Sequence, residues 1–125
     1  MYLLDTNILI HYFSNHIVIS ELLMDLDQRE FSISTLTRLE LMLGLSRQDV
    51  LPAEIDEYLS GATVLSVTKD ITDTAMKCVQ KIRKKLKTVD LLILATAVHM
   101  KATLITADKD FENIGEYDIM FINVN

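Results

Sequence analysis

The chain has 125 residues, half of them hydrophobic, with 12 Lys and Arg against 18 Asp and Glu, for a net charge of −6. This is the size of one domain, residues 1–125, with material for one core, and the acidic balance argues against a surface made throughout for nucleic acid. The lone cysteine, Cys78, excludes an intramolecular disulfide and a cysteine-based zinc site.

A short apolar strand is expected at Tyr2–Leu4, ending at Asp5. Helices follow at Asn7 to about Phe13 and Ile17 to about Leu26, the second with Ile17, Leu22, Leu23 and Leu26 roughly on one side. Phe31–Ser34 reads as a strand. Thr35 to about Leu45 is helical, with Leu36, Leu39, Met42 and Leu43 at helical spacing. Pro52 suits the first turn of a helix at Ala53–Leu59, which Gly61 stops. Ala62–Val67 is β-branched and strand-like.

Asp70 to about Leu86 is expected as one long helix, apolar at Ile71, Ala75, Val79, Ile82 and Leu86. Val89–Met100 is apolar on every side, as in a deeply packed helix. Broken by Asp90 and His99, it is too short to cross a bilayer. The N-terminus has no basic lead or cleavage site of a signal peptide, so a cytoplasmic location is expected. Strands at Thr103–Thr106 and Ile119–Ile122 flank a turn or short helix at Lys109–Glu112. Short apolar strands alternating with helices predict an α/β domain, its mainly parallel central sheet flanked by helices on both faces.

In an open parallel sheet, ligands bind beyond the carboxyl ends of the strands. Asp5 stands at one such end; Asp108 follows TLIT by two residues, with Asp110 two further on. Glu40 interrupts the apolar helix LTRLELML, and Asp90 opens the most hydrophobic helix, TVDLLILATA. Each has a local alternative. Asp5 could cap the following helix, and Thr37 with Glu40 has the T-x-x-E spacing of a capping box. Asp90 could sit on the positive end of its own helix with Thr88 as cap, and Asp108 and Asp110 could be turn acids.

If the acids converge, mutual repulsion opposes folding, and a divalent cation resolves the conflict. An all-carboxylate site suits Mg²⁺ or Mn²⁺ rather than zinc. The chemistry expected of it is hydrolysis of a phosphodiester by metal-activated water. The chain has no Gly-rich phosphate loop, G-x-S-x-G elbow or H-E-x-x-H to support another chemistry.

Charge is unevenly spread. Seven of the twelve cations fall within residues 69–87 against two acids there, making that segment locally +5 and leaving the rest near −11. Such a run reads either as a solvated helix end or as a grip on phosphates beside an acidic pocket. The second reading assigns Lys81, Arg83, Lys84, Lys85 and Lys87 to the phosphates of a polyanionic substrate. Tyr12 and Phe13 read as core or interface, and His11, His16 and His99 show no ligand spacing.

DTNILI, TRLELMLG, VDLLILATA and TLITADKDF, in that order between residues 3 and 111, resemble the four signature blocks of PIN-domain ribonucleases. In size and order they are most similar to the VapC-type toxins of prokaryotic toxin–antitoxin pairs. The resemblance implies a PIN-like fold and an Mg²⁺- or Mn²⁺-dependent endoribonuclease. Asp5, Glu40, Asp90 and Asp108 would form its pocket, with Asp110 a second candidate for the last ligand. Thr6 and Asn7 would support Asp5, and Thr106 would hydrogen-bond within the pocket. It further implies a cognate VapB-type antitoxin and a homodimer, for which the apolar stripes of Ile17–Met24 and Leu36–Leu45 offer surface. The chain departs from the pattern at Lys101–Ala102, where relatives often carry glycine.

Two other classes compete. A catalytically inactive PIN-like RNA-binding or scaffold module would have no use for a repulsive acid cluster. A phosphatase of the haloacid-dehalogenase type would want an acid where Asn7 stands, and a phosphoreceiver would want adjacent acids before its own strand.

Overall fold

The computed structural model describes residues 1–124 and every side chain among them except that of Arg47. Strands β1 (Tyr2–Leu4), β2 (Phe31–Ser34), β3 (Thr63–Leu65), β4 (Thr103–Thr106) and β5 (Ile119–Phe121) form one sheet in the order β3-β2-β1-β4-β5. Every pairing is parallel. Helices α1 (Thr6–Phe13) and α2 (Ile17–Met24) connect β1 to β2; α3 (Thr35–Leu45) and α4 (Pro52–Tyr58) connect β2 to β3. Helices α5 (Lys69–Lys81) and α6 (Thr88–Met100) then carry the chain across to β4.

Successive side chains of a strand point to opposite faces, and the core divides accordingly. Leu4, Ile33 and Ile105 pack on one face against Ile8, Leu9, Ile19, Leu23, Leu41, Leu45 and Ile55 of α1 to α4. Leu3 and Leu104 pack on the other against Ile93, Leu94 and Ala97 of α6, together with Phe111 and Ile114. Helix α5 covers α6 through Ile71, Ala75 and Ala95. Burial on both faces explains why β1 and β4 carry apolar neighbours in succession, Leu3–Leu4 and Leu104–Ile105, rather than alternating with polar ones.

The strand order reverses between β1 and β4, whose register sets Leu4 beside Ile105. The chain leaves β1 into α1 on one face, while after β4 a 3-10 turn at Lys109–Phe111 delivers Phe111 to the other face. This topological switch point opens a crevice at the carboxyl edge of the sheet, where ligands of α/β proteins bind.

Several expectations fail. Helix α5 ends at Lys81, not near Leu86, and Ile82 is extended (φ −86°, ψ 124°). Continuing the helix would stack Lys77, Lys81 and Lys85 at i,i+4 spacing, where like charges repel. Leaving it lets Ile82 and Leu86 turn into the α6-side core. Val79, assigned to the apolar face, is 57% exposed, and Cys78 is buried in its place. In α2, Ile17 is 69% exposed and the core residues are Ile19 and Leu23. Strand β3 is shorter than Ala62–Val67.

The segment before β4 is also informative. Lys101 ends α6 in the left-handed conformation (φ 55°, ψ 39°) that glycine adopts without strain. The loop therefore keeps the geometry of a glycine C-cap although a lysine fills it. No helix among the described residues is long and apolar enough to cross a membrane.

Candidate metal centre

Asp5 is 4% exposed. Its backbone N–H continues the sheet by donating to the Ile105 carbonyl at 2.9 Å, which fixes the residue at the end of β1. Its carboxylate caps α1, as the local reading allowed: Oδ1 accepts the Thr6 N–H at 2.8 Å. Oδ2 accepts the Thr106 hydroxyl at 2.7 Å, and the Thr106 oxygen in turn accepts the Asp108 N–H at 3.0 Å. A single relay thus ties the end of β1 to the exit of β4. Asn7 adds a second tie, its Oδ1 accepting the Ala107 N–H at 3.1 Å.

Glu40 reaches the same place from α3. The Thr6 hydroxyl donates to Glu40 Oε1 at 2.7 Å and lies 3.2 Å from the buried Thr37 hydroxyl. The capping-box reading of Thr37 and Glu40 is thereby corrected. Ser34 caps α3 by accepting the Leu36 N–H, so Thr37 and Glu40 lie inside the helix, one turn apart, both turned to Thr6. Thr37 is the site residue that sequence reasoning misplaced. Its only signal was that same three-residue spacing.

Asp90 lies in the first turn of α6. The cap position is Lys87, whose side chain makes no capping bond, so the assignment of Thr88 as cap is also corrected. Asp108 caps the 3-10 turn and Asp110 lies within it, Asp108 Oδ1 accepting the Asp110 N–H at 2.9 Å. One carboxylate oxygen from each of Asp90, Asp108 and Asp110 lies within 4.8 Å of the others. Both acids of the last block therefore stand beside Asp90.

Asp5, Thr6, Asn7, Glu40, Asp90 and Asp108 line one open cavity of about 440 Å³, together with Ile10, Lys87, Thr88 and Val89. Thr106 is fully buried beneath it. Of the basic run only Lys87 borders this cavity; Arg83, Lys84 and Lys85 border a separate groove, and Lys81 closes α5. Tyr12 and Phe13 do not line it but pack with Tyr58 elsewhere, their centroids 4.2 and 5.7 Å from its ring.

The electrostatics follow from crowding. Burial pushes the Asp5 carboxyl up to about 6; the bonds from Thr106 and Thr6 oppose this, and the charges of Asp90 and Asp108 add to it. Asp90 is also raised to about 6, first by burial, then by Asp108, Asp110 and Glu40, with Lys87 pulling the other way. Among the described residues the salt bridges are Arg29–Asp27, Arg38–Asp56 and Lys69–Asp73. None reaches the cavity. Oxygen donors without nitrogen or sulfur, gathered against their own repulsion, fit a hard divalent cation.

A family model described as the PIN domain matches residues 2–117. The chain belongs to the PIN-domain family. Among solved structures, this PIN domain is similar to a chain of a toxin–antitoxin complex from Klebsiella pneumoniae, with 30% identity over 96% of both chains and a TM-score of 0.82. It is also similar to a chain of VapBC-1 from nontypeable Haemophilus influenzae, with 25% identity over 96% of both chains and a TM-score of 0.73. VapBC2 from Rickettsia felis, bound to a promoter DNA fragment, matches 96% of this chain and 97% of its own at 21% identity and a TM-score of 0.76, which speaks for the fold alone. No curated protein sequence matches the PIN domain significantly.

Proposed function

We propose that this PIN domain is a VapC-type toxin: an Mg²⁺- or Mn²⁺-dependent endoribonuclease of one domain, residues 1–125, acting in the cytoplasm on RNA and neutralised by a cognate VapB-type antitoxin. The observation that carries the reading is the cavity itself. Asp5, Glu40, Asp90 and Asp108 come from four separate segments, and no cation of the chain forms a salt bridge with them among the described residues.

Asp90, Asp108 and Asp110 would hold the ion directly, with the free lone pairs of Asp5 and Glu40 completing its surroundings. When bound, such an ion acidifies water and takes up negative charge at phosphate. The chain's own residues do the rest. Thr106 and the Thr6 N–H hold Asp5 in one rotamer, Thr6 orients Glu40, and Asn7 fixes the loop that carries Asp108. The ammonium of Lys87 offsets part of the repulsion that an acidic cavity exerts on an approaching polyanion.

The partner reading rests on the 30% identical chain found in a toxin–antitoxin complex and on exposed apolar side chains. Ile17, Val18 and Met24 of α2 and Leu39 and Leu43 of α3 are 46–82% exposed. Surfaces of this kind are covered by an antitoxin segment or by a second copy in a homodimer.

The test is cleavage of single-stranded RNA by the purified protein with Mn²⁺ or Mg²⁺, with EDTA, and by Asp90→Asn. Cleavage lost in EDTA and in the variant, with the circular dichroism spectrum unchanged, supports the proposal. Wild-type cleavage rates from Asp90→Asn would exclude this pocket. RNA binding without cleavage under any metal condition would make the protein an inactive binding or scaffold module.

A further inference from the structure

The residues that end α5 early build a second feature. Val79, Ile82, Leu86 and Leu91 floor a groove of about 200 Å³ whose rim is Arg83, Lys84 and Lys85. Ile82 and Leu86 are half-buried against the core, whereas the three cations are exposed. The groove is held in place by Lys84, whose ammonium donates to the carbonyls of Lys109 at 3.0 Å and Glu112 at 3.4 Å. Those carbonyls belong to the 3-10 turn that Asp108 caps and its exit. Lys84 is therefore engaged as a staple between the basic loop and the acidic turn, which leaves Arg83 and Lys85 as the rim charges facing outward.

Two residues beyond Lys85, Lys87 lines the cavity of the carboxylates. Residues two apart are separated by at most about 7 Å, so one strand can lie along the loop from groove to cavity. An apolar floor beneath a cationic rim matches one class of ligand: a flat apolar base on an anionic backbone. The volume lies below the roughly 300–1,000 Å³ of sites that enclose drug-sized molecules, which limits the occupant to about one base.

We propose that this groove is a nucleotide subsite for single-stranded RNA, one base resting on Val79, Ile82, Leu86 and Leu91 against the plane of Arg83, with Arg83 and Lys85 holding the flanking phosphates. Bases of single-stranded RNA are read in this way, on apolar and guanidinium surfaces. The inference rests on the nuclease reading and adds to it the path by which substrate enters.

The experiment measures binding by the full chain in EDTA, where the proposed reaction is arrested. The probes are a fluorescein-labelled single-stranded RNA of randomised sequence and an abasic ribose-phosphate strand of equal length. Wild type should prefer the base-bearing strand by about fivefold or more. Arg83→Ala and Lys85→Ala should weaken both strands and lower the salt slope by roughly one each. Val79→Ser, at a position exposed enough to leave the fold intact, should weaken only the base-bearing strand, roughly threefold, at unchanged slope.

Equal binding of the two strands, or a Val79→Ser variant that affects neither, overturns the subsite. Variants that keep RNA affinity but lose the cognate antitoxin also overturn it, making the groove a protein-docking surface. The two readings fail separately. The expected binding pattern without cleavage in Mn²⁺ sinks the nuclease reading alone, whereas Mn²⁺-dependent cleavage with no effect of the groove variants sinks the subsite alone.

Discussion

Replacing Asp5 with Asn should make the metal-free protein more stable at neutral pH. The Asp5 carboxyl is buried and its pKa stands at about 6 against an ordinary 3.8, so its ionisation at pH 7.5 costs the fold about 3 kcal/mol at 1.36 kcal/mol per pH unit. The sign follows from linkage: the folded state holds this proton more tightly than the unfolded state. The carboxyl therefore costs nothing below about pH 3.8, increasingly more between 4 and 6, and its full amount above. Asparagine removes that cost and can still accept the Thr6 N–H. Its amide cannot accept the Thr106 hydroxyl as Oδ2 does, which returns about 1 kcal/mol.

The net gain is about 2 kcal/mol at pH 7.5. For a chain of this length it raises Tm by roughly 6–10 °C. At pH 4 the gain disappears, and the wild type is level or slightly ahead. Asp90 contributes a pH trend of the same sign, weakened by solvent because that group is only half-buried, and largely common to both proteins. The assay is thermal unfolding followed by circular dichroism in EDTA at pH 4.0 and 7.5, repeated with excess Mn²⁺. The ion should raise the wild-type Tm through binding to the folded state and raise that of the variant much less. A variant less stable than wild type at pH 7.5, or a difference in Tm independent of pH, would refute the reasoning.

Three further outcomes follow from the hydrogen bonds and backbone. Thr6→Val strands the Thr37 hydroxyl and frees Glu40; it should cost about 1–2 kcal/mol in denaturant titrations and weaken Mn²⁺ binding by calorimetry. Thr106→Val removes a bond that holds the Asp5 pKa down, so that pKa rises further. Mn²⁺ affinity should then fall most near pH 6 to 7 and recover toward pH 8.5, whereas a pH-independent loss would mean that Thr106 acts only by packing. Lys101→Gly relieves a left-handed residue and should raise stability by about 0.5–1 kcal/mol, with RNA cleavage unchanged.

The period of apolar residues, the proline at the start of α4 and the cap at Asp5 were legible in the chain, because each is local chemistry acting over a few residues. The positions of Asp5 and Asp108 at strand ends were legible as well, and with them the edge of the sheet that carries the cavity. Val79 and Ile17 were misassigned because an amphipathic period shows that a helix has a buried side but not which neighbour covers it. The early end of α5 was hidden because the gain that breaks the helix, burial of Ile82 and Leu86 against α6, lies outside the helix itself. Thr37 and Glu40 carried a spacing that serves a cap or a site equally well; only the approach of α3 to Thr6 chose between them.

The sequence by itself therefore determined which segments are strands and helices and which acids sit where burial is costly. Tertiary structure decided which acids meet. Asp90 meets Asp108 and Asp110 because α6 starts over the edge where β4 ends, and Asp5 joins their cavity because β1 lies beside β4; only long-range packing sets that juxtaposition.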